Sequence, residues 1–289
     1  MKFNEDSRVK IPSILHLCRL GYEYISLKDA KWNEETNIFS EIFLKSIEDI
    51  NPDLEEGEAK RLLDEVSLLL DNEDLGKAFY ERILQKTGHK IIDFDDFDNN
   101  TFNVVTELTY KNSEDEFRPD IILLINGMPL VFIEVKKPNN REGIIAEHNR
   151  IKTRFQNKKF RRFVNITQLM VFSNNMEYDD NDPEPVQGAY YASSSYKKPI
   201  FNYFREEENF DLDNLLKDED DDLENFILKD TNYVSIKYNP EFSTNKSPNT
   251  PTNRISTSLF SRERFKVFIE SIKNDNDPLF EWGDYEIKT

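Results

Sequence analysis

Two apolar runs stand at the centre of the chain, Ile121 to Ile125 and Met128 to Val135, separated by Asn126-Gly127. An Asn-Gly pair between two such runs predicts a β-hairpin. Both runs are apolar at successive positions, so both faces are covered and the hairpin belongs inside a sheet. Upstream, residues 56–86 carry helical spacing through Leu62, Leu63, Val66, Leu69 and Leu70, then Phe79, Ile83 and Leu84, with Gly88 where a helix would end. Residues 10–50 read as mixed helix and strand anchored by Tyr22, Tyr24, Trp32, Phe39 and Phe43. Lys90 to Tyr110 is strand-like around the turn formers Asp98-Asn99-Asn100.

Beyond the hairpin, a Pro/Asn/Gly break at 138–143 precedes a helix predicted from about 144 to 156, with Ile144, His148, Ile151 and Phe155 on one face. Gln168 to Phe172 reads as another buried strand. Residues 176–187 are acidic and contain proline, and 205–225 hold Glu206-Glu207-Glu208 and the cluster Asp218 to Asp222. The Ser/Thr/Asn/Pro-rich segment 243–256 reads as a loop or linker, followed by a final amphipathic helix over about 260–273. The order predicts an α/β (α+β) fold, a mixed central sheet flanked by helices with helical additions at both ends. The expected divisions are an N-terminal subregion at 1–75, a core at 76–200 and an acidic, partly helical extension at 201–289.

Composition narrows the reading. The 289 residues are 37% hydrophobic and 33% charged, with 22 Phe and 12 Tyr supplying much of the core material. The net charge of −18 excludes a generally basic nucleic-acid coat but leaves room for a local basic patch. The single cysteine, Cys18, excludes an internal disulfide and fits a reducing cytosol, most simply as a small buried residue. The N-terminus lacks the apolar core of a signal peptide, and the longest apolar run, Ile121 to Val135, is too short and too interrupted to span a bilayer. A soluble, cytoplasmic protein is expected.

The hairpin also carries charge at its open end: Asp120, Glu134 and Lys136. Ions in such a setting cost several kcal/mol unless paired or coordinated. Glu134 and Lys136 share a face, being two residues apart. Asp120 joins them only if the hairpin breaks strict alternation: a two-residue turn with regular strands pairs position 120 with 133, whereas a three-residue loop with Gly127 as a bulge restores the shared face. The bulged turn is therefore expected. Asp120, Glu134 and the Val135 carbonyl would then be hard oxygen ligands for Mg2+, and Lys136 would position water or stabilise charge on a phosphorane. That is phosphodiester hydrolysis. The three-residue pattern alone should arise by chance in roughly 5–10% of chains of this length.

A basic stretch adds weight. Between Lys136 and Phe163 ten Lys/Arg stand against Glu142 and Glu147, so 10 − 2 gives a local charge of +8. Lys137, Arg150, Arg154, Lys158, Lys159, Arg161 and Arg162 are the expected contacts to the phosphates of double-stranded DNA.

With these residues in hand, the segment resembles the PD-(D/E)xK nuclease motif, and more narrowly the N-terminal nuclease region of the R subunit of type I restriction endonucleases. The resemblance covers roughly 77–200 and rests on Phe79-Tyr80-Glu81, Ile92-Asp93-Phe94, Asn99 to Val105, Arg118-Pro119-Asp120, Asn126 to Leu130, Glu134-Val135-Lys136 and Gln168 to Val171. It implies a restriction-endonuclease-like core and Mg2+-dependent cleavage of DNA with modification and specificity subunits. It also implies an ATP-driven motor in the whole subunit. No GxxxxGK[ST] phosphate loop occurs in this chain, which reads as the N-terminal portion of a larger subunit. Where the family carries Gln-x-x-x-Tyr, the matching positions are Arg150 and either Arg154 or Phe155, a departure from the pattern. Glu81 is a further candidate metal ligand.

Other signals are weaker. Asp96 to Asn100 with Glu107 mimics a Ca2+ loop but has Thr101 where glycine is needed. His16, His89 and His148 have no ligand spacing, and His148 reads as a packed or capping residue. The rival to an active nuclease is a non-catalytic module of the same fold that docks DNA or the modification subunits.

Overall fold

Hairpin, sheet and helices take the predicted arrangement, in a computed structural model that describes residues 5–112, 115–138, 141–177, 189–193, 200–204 and 209–271. A π-helical turn, Asp6–Lys10, runs into α1 (Ile11–Arg19), then β1 (Glu23–Tyr24), α2 (Ser40–Ile50), α3 (Glu58–Leu69) and α4 (Lys77–Ile83). β2 (Phe102–Thr106) is followed by a separate ribbon of β3 (Tyr110–Asn112) and β4 (Asp115–Phe117), and then by the hairpin β5 (Ile121–Ile125) and β6 (Met128–Val135). α5 (Arg141–Gln156) and α6 (Arg161–Ile166) lead to β7 (Leu169–Ser173), β8 (Ala189–Ser193) and β9 (Ile200–Phe204). The rest is helical: α7 (Leu212–Leu215), α8 (Asp221–Asp230), α9 (Pro240–Asn245), α10 (Pro251–Phe260) and α11 (Arg262–Ser271).

The described strands form one main sheet in the order β1-β2-β5-β6-β7-β8-β9. β1 runs parallel to β2 and β6 parallel to β7, while the other pairs are antiparallel. A parallel pair needs a crossover, which α5 and α6 supply between β6 and β7. One face of the sheet (Val104, Ile121, Leu123, Val131, Ile133, Val171) packs with residues of α1 to α4 and α8 to α11. The other (Val105, Ile122, Leu124, Phe132, Met170, Phe172) packs with Ile151 of α5, Phe163 and Val164 of α6, and Tyr110 and Phe117 of the ribbon. The first cluster runs from Val9 to Ile269, so the first and last described helices share a core with the hairpin. Cys18 is one of its packed residues.

The hairpin turn itself differs from expectation. Ile125 pairs with Met128, a two-residue turn with Asn126 and Gly127 at φ 49° and 75°. The alternation is broken further on: Leu124 pairs with Pro129 but Leu123 with Val131, leaving Leu130 as the extra residue of a bulge. Leu130 and Val131, adjacent in sequence, both enter the same apolar cluster. Beyond the bulge Ile121 faces Ile133, so Asp120 falls opposite Glu134. The required change of parity is present, in the strand rather than in the turn.

The turn is regular because it is clamped. Asn126 exchanges bonds with Thr101 (N–H to carbonyl and N–H to Oδ1, each 2.8 Å), and its Nδ2 donates to the Ile91 carbonyl at 2.9 Å and to Asn100 Oδ1 at 2.8 Å. Gly127 lies against α2, where an added Cβ would stand 2.7 Å from the Phe39 carbonyl oxygen and 2.9 Å from the Phe43 nitrogen.

The C-terminal expectations need correction. The 243–256 segment contains the end of α9 and half of α10 rather than a linker. Its Ser, Thr and Asn residues read as loop formers, but in α10 they are buried and bonded: Thr252 Oγ1 to Ser173 Oγ at 2.8 Å and, one residue past the segment, Thr257 Oγ1 to His16 Nε2 at 2.7 Å. The predicted last helix is present as α11, set off from α10 by Ser261, which is extended at ψ 144°. Most of 176–187, and Glu206-Glu207-Glu208, lie outside the described residues. Among the described residues no helix is long and apolar enough to cross a membrane.

Gly127→Ala should lower the unfolding free energy by about 2–4 kcal/mol in urea titrations, because both backbone strain and a main-chain clash arise. A loss below about 0.5 kcal/mol would show that α2 does not hold the turn.

Candidate active site

Asp120 sits just before β5 and is held through main chain and side chain together. Its carbonyl accepts from Thr106 Oγ1 at 2.8 Å and from the Glu107 N–H at 3.2 Å. Its Oδ2 accepts from the Val135 N–H at 3.0 Å. Glu134 is the one half-buried position in an otherwise buried β6. The Lys136 N–H donates to the Ser173 carbonyl at 2.7 Å, extending the β6–β7 ladder one residue and fixing where the lysine starts. Its Nζ lies 2.8 Å from Glu134 Oε1, 3.1 Å from the Val135 carbonyl oxygen and 3.9 Å from Asp120 Oδ2. The three side chains are only 17%, 13% and 13% exposed. The predicted triad converges, on the face of the sheet covered by α5.

Four more charged groups join it that the sequence reading did not place. Glu147 of α5 is buried, with Oε1 3.9 Å from Lys136 Nζ, and it pairs with Arg150. Glu5 brings Oε1 to 3.5 Å from Lys136 Nζ and accepts from the Lys137 N–H at 3.1 Å. Lys10, 5% exposed, is paired with Asp6, with Glu107 Oε1 at 2.7 Å and with Asp120 Oδ1 at 4.0 Å. Glu147 was detectable, since it lies one helical turn before the core residue Ile151. Glu5, Lys10 and Glu107 carried no local signal.

The electrostatics follow from crowding. Burial pushes the Asp120 carboxyl above its ordinary range, against the pull of Lys136. Burial does the same to Glu134, and the neighbouring Asp120 adds to it. Burial opposes the charge on Lys136, but Glu134 and Asp120 outweigh it and hold the ammonium firmly protonated. The oxygens of Asp120, Glu134 and Val135 thus already converge on a cation. Among the described residues no group of three or more His, Cys, Asp or Glu side chains is arranged to hold a metal; the donor set is two carboxylates and a carbonyl.

The remaining candidates lie elsewhere. Glu81 is exposed on α4 beside Lys77, 3.8 Å away, and makes no described contact with the cluster, so the suggestion that it is a further ligand is corrected. On α5 the residue facing Lys136 is Glu147, three before Arg150, while Arg154 lies over the Phe117 ring at 4.2 Å. Lys137 is exposed beside the site. The other basic residues are engaged by carboxylates: Lys158 and Arg161 with Glu73 (2.9 and 2.6 Å), Arg162 with Asp71 and Glu35 (2.7 and 2.5 Å), and Lys159 with Asp115 (2.9 Å). The side chains of Ile144, His148 and Phe155 lie outside the described residues.

Residues 2–179 match the family model for the type I restriction enzyme R protein N terminus. The chain belongs to that family. Among its relatives is a protein of Methanocaldococcus jannaschii named for a type I restriction enzyme MjaIXP endonuclease subunit, 30% identical over 207 residues, covering 63% of this chain and 20% of that protein. A second from the same organism, named for the MjaVIIIP endonuclease subunit, is 28% identical over 141 residues, 48% of this chain and 13% of its own length. This member of the R protein family therefore spans a fifth or less of the relatives it matches. The mixed sheet with flanking helices is the restriction-endonuclease-like fold that the resemblance implied.

Raised carboxyl pKa values in the R-protein site have a signed consequence. The folded chain binds protons that the unfolded chain has lost, so stability falls as pH rises through and beyond the ordinary carboxylate range. The raised Lys136 value acts only at far higher pH. Going from about pH 5 to about pH 8 should lower the melting temperature of the metal-free protein, and Asp120→Asn or Glu134→Gln should reduce the drop. An undiminished drop in both variants would place its origin elsewhere.

Proposed function

We propose that this domain is a Mg2+-dependent endonuclease of a type I restriction enzyme, hydrolysing phosphodiester bonds in double-stranded DNA. The observation that carries the reading is the register past Leu130, which sets Asp120 against Val135 and brings Lys136 among the same oxygens. Two carboxylates and a carbonyl suit Mg2+, which keeps several waters and demands few protein ligands. When bound, the ion polarises a phosphate oxygen and lowers the pKa of a coordinated water.

The chain's own residues supply the rest. Asp120, tied through Oδ2 to the Val135 N–H, and Glu134, on the opposing strand, are the carboxylate ligands; the Val135 carbonyl is the third oxygen. Lys136 stays charged in this setting and either orients the attacking water or stabilises the charge that develops on phosphorus oxygens. The relatives' names as endonuclease subunits support the assignment. In the whole subunit, ATP would drive a motor, and the modification and specificity subunits would choose the target, in the cytoplasm.

Lys137 and Arg150, exposed beside the site, are the leading DNA phosphate contacts, with Arg154 behind them. Lys158, Lys159, Arg161 and Arg162 reach DNA by exchanging one anion, a carboxylate, for another. Each phosphate contact removed should reduce the salt slope of DNA affinity by about 1. Arg150→Gln and Lys137→Gln should each do so, and variants in 158–162 should change it less because their intramolecular partners are lost together. Unchanged slopes in the first pair would remove them from the interface.

The catalytic assignment is tested by nicking of supercoiled plasmid by the assembled restriction complex. Lys136→Ala and Asp120→Ala should each reduce cleavage by at least about 100-fold. Cleavage equal to the unaltered protein would sink the assignment and leave the docking function.

A further inference from the structure

The segment Glu5 to Lys10 lies between the site and the C-terminal helices, and every second residue or so touches one or the other. Glu5 faces Lys136 and Lys137, and Lys10 faces Glu107 and Asp120. Asp6 is paired with Lys10 through one oxygen, and through Oδ2 it accepts from the Tyr233 hydroxyl at 2.6 Å. Arg8 Nη2 stands 2.8 Å from Glu241 Oε1 on α9.

We infer that Lys10 is a positioning residue for Asp120, and that Tyr233, acting through Asp6, makes the C-terminal helical region part of the framework of the active site. The inference rests on the proposed role of Asp120.

Asp120 has its Oδ2 tied to the Val135 N–H, while Oδ1 faces the Lys10 ammonium at 4.0 Å. Its carbonyl is held by the N–H of Glu107, a residue in the left-handed region at φ 61°. The Glu107 carboxylate is in turn anchored by Lys10 at 2.7 Å. The Lys10 ammonium therefore bears on both the side chain and the main chain of Asp120, alongside Lys136 at Oδ2, Thr106 at the carbonyl and Arg118 at Glu107. That ammonium needs its own carboxylates in place, because an unpaired buried charge is costly. Asp6 is the partner contributed by the same π-helical turn, an irregularity often found near functional sites.

Tyr233 is well placed to hold Asp6. Just past α8, Asn232 is in the left-handed conformation (φ 63°), and the Tyr233 N–H closes the helix onto the Leu228 carbonyl at 2.8 Å. Ile227 and Leu228, just upstream, are fully packed in the core. Movement of α8 would thus be felt at Asp6, then Lys10, then Asp120. The coupling crosses some 220 residues of sequence through three side chains, with |i−j| of 227 for the first link.

Two readouts on the full chain test this: amide exchange at Val135 and Lys137, whose N–H groups donate to Asp120 and Glu5, and Mn2+ affinity by electron paramagnetic resonance. Tyr233→Phe removes only a hydroxyl and should speed exchange at both amides several-fold, leaving Met170 to Phe172 unchanged. It should weaken Mn2+ binding by about 3- to 10-fold, and Lys10→Met by about 10-fold or more, with Lys10→Arg recovering part of the loss. If Lys10→Met does not fold, Tyr233→Phe and Lys10→Arg carry the test. Wild-type exchange and affinity in Tyr233→Phe would overturn the inference. Faster exchange in Tyr233→Phe with no Mn2+ binding in any protein would uphold the coupling and instead remove Asp120 from the metal site.

Discussion

An extra residue in one strand underlies the arrangement of charge in this protein. Leu130 has no partner on β5, and its presence advances the register so that two carboxylates separated by most of the hairpin face each other. The bulge is held from several sides. Leu130 and Val131 both fill the larger apolar cluster, the Leu130 carbonyl accepts from the Gln168 N–H at 2.7 Å, and Pro129 beside it has no N–H to place. Removing the irregularity would turn Asp120 onto the opposite face of the sheet and leave Glu134 and Lys136 a simple ion pair.

Around that register the protein tolerates an unusual density of buried charge. Asp120, Glu134, Glu147 and Glu5 approach Lys136, while Lys10 draws in Asp6, Glu107 and Asp120. Such a cluster is weak as a source of stability, because desolvation offsets most of the attraction. The upward displacement of both Asp120 and Glu134 reflects that imbalance. A site that leaves carboxylates short of positive charge is suited to receiving more of it.

The acidic character of the chain has a structural counterpart in its basic stretch. Lys158, Arg161 and Arg162 bind the loop between α3 and α4 through Asp71 and Glu73, beside Asn165, whose Nδ2 donates to the Leu70 and Asn72 carbonyls at 2.8 Å each. This part of the apparent +8 patch is therefore also an internal fastening. Exposed pairs of this kind contribute little stability each, which leaves them open to exchange with other anions.

Much of the fold was legible from local pattern. The Asn-Gly turn, the apolar strands, the helix before Gln168 and the strand after it depend on short-range preferences that a periodic sequence displays, and Asp120, Glu134 and Lys136 could be named from them. What the sequence by itself determined was which charged residues gather at the open end of the hairpin and the need for a change of parity. Where that change fell was decided by the tertiary structure, because Asn126 is bonded to Thr101, Ile91 and Asn100 and Gly127 is pressed against α2, so the turn could not absorb it. The same holds for Glu5 and Lys10 beside the site, for Tyr233 behind it, and for the Ser/Thr-rich helix α10 that looked like a linker. Their roles come from partners up to some 240 residues away, and a preference that only a distant contact creates leaves no mark on neighbouring residues.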